Sequence, residues 1–492
     1  MKFRNSLNAP GLVPCLLAVG MVGCNSSDSP SGVTATTESN RGAPNILVLI
    51  ADDAGVEQFS SFGIGSAPAS TPHLDALAAR GMQFSNVWAQ PMCSPTRATL
   101  LAGRYAFRTG VGYATAGAGV GGDYPERPEP LAGALPELQE NLVQVREISA
   151  RIRPVDTPAS SYGLRRDEVG LPAVLRETAG HATAAIGKWH LADTRNGWLE
   201  HPGNVGFEHY SVTMRNQPES YFSWWENVNG VMEHRTGYTP RRKVDDAITW
   251  IAQQEDRPWF LWLAFSLPHY PHHLPAVNGI DTPGNAADDQ RATLDVMLAR
   301  LDEEIGRLLA SIGEDVFDNT VVVFVGDNGT TGESIDPPFH PDRGKFTLYE
   351  GGLRVPLVFA GPGVPSGVSS DALVNTTDVY ATIIELAGAS VPADRPLDSV
   401  SLVPYFANPG LESIRTYQLA EYFHSEYGAS AGEYAIGDGN HKLIGKRAGR
   451  ELYDLGADLS ESNDLLADGI SAGEQEIVDR LEATVEELRR SE

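Results

Sequence analysis

Cysteine is almost absent. Three residues, Cys15, Cys24 and Cys93, are spread over 492 positions, so neither a disulfide framework nor a thiolate cluster for a soft metal is on offer. Long apolar runs are missing as well. The stretch 11–23 near the N-terminus is shorter than the roughly 20 residues a membrane-spanning helix needs. Positive charge is scarce: 37 Lys and Arg stand against 64 Asp and Glu, and the net charge of −27 is spread along the chain. That balance excludes a general nucleic-acid surface and repels polyanions except where basic side chains are focused in a pocket. Internal repeats and coiled-coil heptads are also lacking. With 41% hydrophobic and 21% charged residues, the composition is that of a globular chain, neither disordered nor a membrane bundle. Its length implies one large α/β domain with a smaller one appended.

Lys2 and Arg4, the apolar run 11–23 broken by Pro14, and Cys24 read as a secretory signal. Met21-Val22-Gly23-Cys24 resembles a bacterial lipobox, in which the Cys becomes the lipidated first residue; a plainly cleaved signal with a free periplasmic product is the alternative. A tether rich in Ser and Thr follows. The expected boundaries are a signal over 1–24, a linker over 25–43, a large domain over 44–390 and a smaller C-terminal one over 391–492. If Cys15 leaves with the signal and Cys24 is acylated, Cys93 has no disulfide partner in an oxidising compartment. A lone thiol there is a liability unless it is buried or chemically converted.

Cys93-Ser94-Pro95-Thr96-Arg97 reads as a helix start, with Ser94 as N-cap, Pro95 at the first helical position and Gly103 as the stop. Cys93 then lies where unpaired N–H groups favour negative charge, and Arg97 can lean back toward it. A structural Cys on an ordinary capped helix is the plainer alternative. Apolar runs over 45–51, 259–265 and 320–325 read as buried parallel strands, 181–186 as another, and 82–87 and 357–360 as shorter ones. Helices are expected over 71–78, 171–179, 241–254, 294–312 and 378–387. Residues 112–162, rich in Gly, Pro and charge, read as a long surface excursion with one weak helical stretch near 138–148. Beyond about 390, short strands over 417–422, 433–437, 441–444 and 451–453 precede a helix over 475–488, a small α+β unit.

The strand ends carry the chemistry. Asp52-Asp53 follows the first strand, Gly187-Lys188-Trp189-His190 another, Pro268-His269-Tyr270-Pro271-His272-His273 a third and Asp327-Asn328-Gly329 a fourth. Carboxyl ends of strands are where open α/β sheets bind ligands. Asp52, Asp53, Asp327 and Asn328 form an all-oxygen set suited to Ca²⁺ or Mg²⁺ rather than zinc. His269, His272 and His273 in a Pro-rich loop allow a transition-metal site, but one catalytic His with two bystanders fits better. Gly351 and Gly352 permit a tight turn or close backbone approach.

These motifs in this order resemble the type I, formylglycine-dependent sulfatases, arylsulfatase-like members of the alkaline-phosphatase-like superfamily. The resemblance runs from about residue 44 to 464 and adds Lys345 before Glu350-Gly351-Gly352 and the stretch Glu451-Leu452-Tyr453-Asp454-Leu455. Ala192 stands where Gly is commoner, and the excursion over 112–162 is longer than a compact member needs. The resemblance implies a central mixed, mostly parallel sheet flanked by helices, with a C-terminal subdomain of short antiparallel sheet plus helix. It implies conversion of Cys93 to formylglycine by a maturation enzyme before folding, and a Ca²⁺ or Mg²⁺ ion held by Asp52, Asp53, Asp327, Asn328 and the converted Cys93. Arg97 and His190 would steady the nucleophile, Lys188 and Lys345 would neutralise sulfate oxygens, and His269 would protonate the leaving alcohol. The expected substrate is a small-molecule or saccharide sulfate ester, and membrane contact is expected only through a lipid at Cys24. A phosphonate monoester or phosphodiester hydrolase of the same superfamily, and a non-catalytic lipoprotein binding sulfated glycans, are the competing readings. The aromatic segment Tyr221-Phe222-Ser223-Trp224-Trp225 is expected to be a loop shaping the leaving-group side of the pocket.

Overall fold

The computed structural model describes residues 42–115, 163–193, 195–215, 220–274, 289–393, 395–425 and 428–490. The N-terminal signal and tether, most of the excursion over 112–162 and its weak helix lie outside the described residues. No helix among the described residues is long and apolar enough to cross a membrane.

Asn45–Ala51 is buried along its whole length because it sits in the middle of a ten-stranded sheet. From edge to edge the strands are Val368–Ser370, Gly81–Phe84, Leu357–Ala360, Thr320–Gly326, Asn45–Ala51, Trp259–Ala264, Ala182–Lys188, His209–Thr213, Ser223–Val228 and Val231–Thr236. The five strands from Thr320–Gly326 to His209–Thr213 are parallel to one another, so their carboxyl ends share one edge. Side chains alternate across the sheet. Ile46, Val48 and Ile50 join the core on one face, and Leu47, Leu49 and Ala51 that on the other. Helices Cys93–Ala102, Leu171–Ala179 and Asp378–Leu386 cover the first face. Helices Pro72–Ala79, Thr239–Ile251 and Gln290–Ile312 cover the second, giving three layers. The helices and strands expected along this framework agree with those observed to within a few residues, apart from the corrections below; His209–Thr213, Val231–Thr236 and Val368–Ser370 are strands not expected from the sequence.

Three local expectations are corrected. Residues 82–87 are not one strand: Gly81–Phe84 pairs in the large sheet, whereas Val87–Trp88 leaves it to pair with Val374–Asn375. The aromatic segment is not a loop, because Ser223–Val228 and Val231–Thr236 form a hairpin. Its turn residues Asn229 and Gly230 both have positive φ, 49° and 91°, which suits the twist of the flanking strands. Ser94 does not cap its helix; the helix begins at Cys93 after an extended Met92. The Ser94 hydroxyl instead donates to the His190 carbonyl at 2.7 Å and accepts from the Thr115 N–H at 3.0 Å.

A second, antiparallel sheet runs through Gln418–Tyr422, Glu433–Gly437, His441–Lys446 and Gly449–Asp454 in chain order. Val478, Leu481 and Val485 of helix Ala472–Arg490 pack on one face with Leu419, Ile436, Leu443 and Leu452. The other face, through Ala420, Ala435 and Ile444, packs on Trp88, Leu348 and Leu353 of the larger unit. The Gln90 side chain acts as an extra rung on this sheet, donating to the Leu419 carbonyl at 3.4 Å and accepting the Glu421 N–H at 2.9 Å. Residues just ahead of Cys93 are thereby stitched to the C-terminal sheet.

Candidate active site

Register brings the strand ends level. Ala51 pairs with Gly326, and Gly187 and Ile50 both align with Ala264, so Asp52, Asp327 and Lys188 emerge side by side. A Cβ on Gly187 would lie 1.9 Å from the Ala264 carbonyl, so only glycine lets these two strands close up beneath Lys188. Asp53 and His190 both hold left-handed backbone, φ 67° and 56°, which turns their side chains in toward the strand ends. On the far side, a Cβ on Gly329 would lie 1.9 Å from the Gly351 carbonyl, the close approach expected of the Gly351-Gly352 pair.

Three carboxylates meet three cations here, almost without solvent. Arg97 forks onto Asp327 Oδ2 at 2.9 and 2.7 Å and donates to the Lys188 carbonyl at 2.9 Å. Lys188 Nζ reaches Asp52 Oδ2 at 2.6 Å. Lys345 Nζ reaches Asp53 Oδ1 at 2.5 Å, and Asn328 Nδ2 donates to the same oxygen at 2.9 Å. Burial, then the Asp327 charge, raises the Asp52 carboxyl well above the usual range. Burial also opposes ionisation of Asp53, but Lys345 and His269 outweigh it and hold that carboxyl low. Asp52 Oδ1 and Asn328 Oδ1 are buried, with no hydrogen-bond partner among the described residues. Two orphaned oxygens beside three carboxylates fit a hard cation by the chemistry of the donor set. Ligand atoms of Asp52, Cys93 and Asp327 lie within 4.8 Å of one another, as do those of Asp52, Asp53 and His269.

Cys93 is 2% exposed, and its Sγ lies 3.1 Å from His190 Nδ1. His190 Nε2 donates to the Thr115 carbonyl at 2.8 Å, which leaves Nδ1 as an acceptor facing the sulfur. Burial pushes the Cys93 thiol up, against the pull of Lys188 and Lys345. Burial, with Lys188 and Arg97 nearby, keeps His190 neutral. Trp189, between Lys188 and His190, points the other way into the core, where its indole N–H donates to His201.

His269 is 5% exposed, its Nδ1–H donating to the Tyr270 carbonyl at 2.7 Å and its Nε2 lying 3.7 Å from Asp53 Oδ2. The other two histidines do not join it as ligands. His273 is committed to the Pro271 carbonyl and the Tyr238 hydroxyl, and among the described residues only His269 of the three enters a potential ligand group. Trp224, expected to line the pocket, is 1% exposed and interior. All ten site residues expected from the sequence are brought together. Two supporting residues, Ser94 and Thr115, hold His190 and had no site expectation, whereas Tyr221, expected to shape the pocket, instead sends its hydroxyl to the His269 turn. Ser94 and Thr115 carry no sequence signal, because their partners are set by folding alone.

A mostly parallel α/β sheet with acids, lysines and a helix-borne cysteine at its carboxyl edge is an architecture of the alkaline-phosphatase-like superfamily. Within it, the family described as Sulfatase matches residues 44–389, and N-sulphoglucosamine sulphohydrolase, C-terminal, matches 342–491. This chain belongs to the sulfatase family. The N-acetylgalactosamine-6-sulfatases of Canis lupus familiaris and Sus scrofa are each 30% identical over 389 residues, covering 73% of this chain. The chain spans about 65% of the length of those curated relatives. A protein of Formosa agariphila named Sulfatase is 26% identical over 536 residues, covering 90% of this chain and 88% of its own. The crystal structure of Ps i-CgsB has the same fold, with a TM-score of 0.70 at 24% identity over 91% of this chain and 93% of that one.

Proposed function

We propose that this protein hydrolyses an organic sulfate ester, of an aryl or carbohydrate alcohol, to the alcohol and inorganic sulfate. The observation that carries the reading is the set of three carboxylate–cation pairs around Cys93, with orphaned oxygens on Asp52 and Asn328. As described the cluster is neutral. A divalent cation on Asp52, Asp53, Asp327, Asn328 and the residue-93 side chain adds two positive charges, which match a monoanionic ester together with an ionised nucleophile. Ca²⁺ or Mg²⁺ there would supply Lewis acidity for the sulfate oxygens and the nucleophile. Conversion of Cys93 to formylglycine would supply a hydrated aldehyde, whose two hydroxyls separate attack on sulfur from release of sulfate.

The side chains of the protein do the rest. His190 Nδ1 accepts a proton from residue 93, held in that tautomer by Thr115. Arg97, clamped by Asp327 and the Lys188 carbonyl, fixes positive charge beneath the helix start. Lys188 and Lys345 face sulfate oxygens once their carboxylates serve the cation. His269, with Nδ1 committed to Tyr270, would give a proton from Nε2 to the leaving oxygen as the S–O bond breaks; burial holds this imidazole well below its ordinary pKa, and Asp53 pulls the other way, toward the protonated form that the transfer needs. Overall the monoanionic ester and one water give the alcohol, the sulfate dianion and one proton that leaves to solvent.

Cys93 is 2% exposed, so a maturation enzyme acting on it needs the unfolded chain. The signal-like N-terminus supports export, to the periplasm or to a membrane through lipid at Cys24, and the division at about residue 390 into catalytic and C-terminal parts belongs to the same reading. The test compares kcat/KM for one aryl sulfate and the matching aryl phosphonate monoester, with Ca²⁺ supplied and residue 93 confirmed as formylglycine by mass. Preference for the sulfate is expected. Preference for the phosphonate would keep fold, cation and nucleophile but overturn the substrate class.

A further inference from the structure

Within the aromatic segment 221–225, Tyr221 reaches the turn that carries His269. Tyr221 is 2% exposed, and its single O–H is shared between the carbonyls of Ser266 and, at 2.7 Å, His269. Those two residues are the ends of one turn, closed by the His269 N–H donating to the Ser266 carbonyl at 2.9 Å. One buried hydroxyl therefore clamps both ends of the turn that presents His269. The clamp is itself fixed. The Tyr221 carbonyl accepts from the N–H and the hydroxyl of Thr239 at 2.8 and 2.7 Å, at the start of helix Thr239–Ile251. Its ring packs on His273 with centroids 4.2 Å apart. His273 in turn donates Nδ1–H to the Pro271 carbonyl at 3.0 Å, and its Nε2 accepts from the Tyr238 hydroxyl at 3.2 Å. Tyr221, Tyr238 and His273 thus hold backbone carbonyls on both sides of His269.

We propose that Tyr221 is a positioning residue for the leaving-group proton transfer, its hydroxyl fixing the turn so that His269 Nε2 faces the departing oxygen. The inference rests on His269 as the general acid. A leaving alcohol of high pKa depends on that proton, and a nitrophenolate hardly needs it. A loosened turn therefore penalises the two unequally, whereas a residue that merely supports the fold would penalise both alike.

Tyr221→Phe removes the hydroxyl and keeps the ring on His273. The experiment measures kcat and KM for 4-nitrophenyl sulfate and for an alkyl sulfate with wild type, Tyr221→Phe, His269→Ala and the double variant, each with confirmed formylglycine and Ca²⁺. The expected result for Tyr221→Phe is a loss in kcat on the alkyl sulfate of roughly tenfold, part of the 10²–10⁴ that a general acid supplies. Nitrophenyl turnover and KM should move less than about threefold. In the His269→Ala background the same change should cost nothing further, since there is no acid left to position. Equal losses on both substrates, no loss on either, or a full additional loss in the double variant would overturn the role of Tyr221. If His269→Ala itself lost equally on both substrates, the acid assignment would fall instead. Discrimination by His269→Ala without discrimination by Tyr221→Phe would remove Tyr221 alone.

Discussion

Lys188 Nζ lies 2.6 Å from Asp52 Oδ2, and neither side chain is exposed to solvent. The pair joins the ends of two strands that do not neighbour each other, since Trp259–Ala264 runs between them. Removing Lys188 leaves Asp52 only the more distant Arg97, at 3.9 Å. Lys188→Met should lower kcat/KM for a sulfate ester by at least about 10²-fold, the scale of losing one charged donor to a transition state. Without added cation it should also lower unfolding free energy, by up to about 3 kcal/mol, because buried Asp52 loses its nearest counter-charge. Ca²⁺ should restore more stability to the variant than it adds to wild type, checked by urea unfolding with and without the ion. Equal Ca²⁺ effects in both proteins would count against Asp52 as a ligand.

Cation binding should register as stability even without turnover. At Ca²⁺ a hundredfold above its Kd, the gain expected from mass action is about 2.7 kcal/mol. Chelation should lower Tm and abolish sulfate release together, and Asn328→Leu should weaken the Ca²⁺-dependent rise in Tm. A Tm indifferent to chelator would sink the assignment of the orphaned Asp52 and Asn328 oxygens.

Trp224 is 1% exposed on the first strand of the hairpin. Trp224→Ala should destabilise the fold by about 3–5 kcal/mol, the usual cost of emptying so large a buried site. The ranking of substrates by any folded variant should stay as in wild type, measured over a small panel of aryl and sugar sulfates.

A pH effect is expected far from the reaction. Glu350 and Glu461 are both buried and share Lys442, at 3.0 and 2.8 Å, while Arg354 attends to Glu350 alone. Burial raises Glu461 from 4.5 to about 7, against the pull of Lys442 and with the push of Glu350. A carboxyl with a raised native pKa binds its proton more tightly when folded. Its contribution is fully present below pH 4.5, is lost as pH rises from 4.5 to about 7, and is level above that. Glu461→Gln should flatten the loss of stability between pH 5 and pH 8, measured by urea unfolding at both. An unchanged slope would mean that Glu461 is ionised throughout.

The framework was legible where the signal is local. An unbroken apolar run such as 45–51, or Thr71-Pro72 ahead of a helix, reports on its own neighbours. The clustering of the acids was legible because Asp52-Asp53 and Asp327-Asn328 each end such a run. What escaped depends on distant partners: nothing near Ser94 announces a hydroxyl held between His190 and Thr115, and nothing near Val87 announces that the chain leaves one sheet for another. The hairpin at Asn229-Gly230 is different. Its turn dipeptide is a strong local signal that was overshadowed by the aromatic residues before it.

The rung that Gln90 adds to the C-terminal sheet has a consequence in time. It joins positions 329 apart in sequence, so it cannot form until the strand around Leu419 has been made. At ordinary synthesis rates that interval is on the order of 15 to 65 seconds. Until then the chain ahead of Cys93 lacks its final anchor, and an enzyme that modifies Cys93, as proposed, would have that long to reach a side chain that ends up sealed.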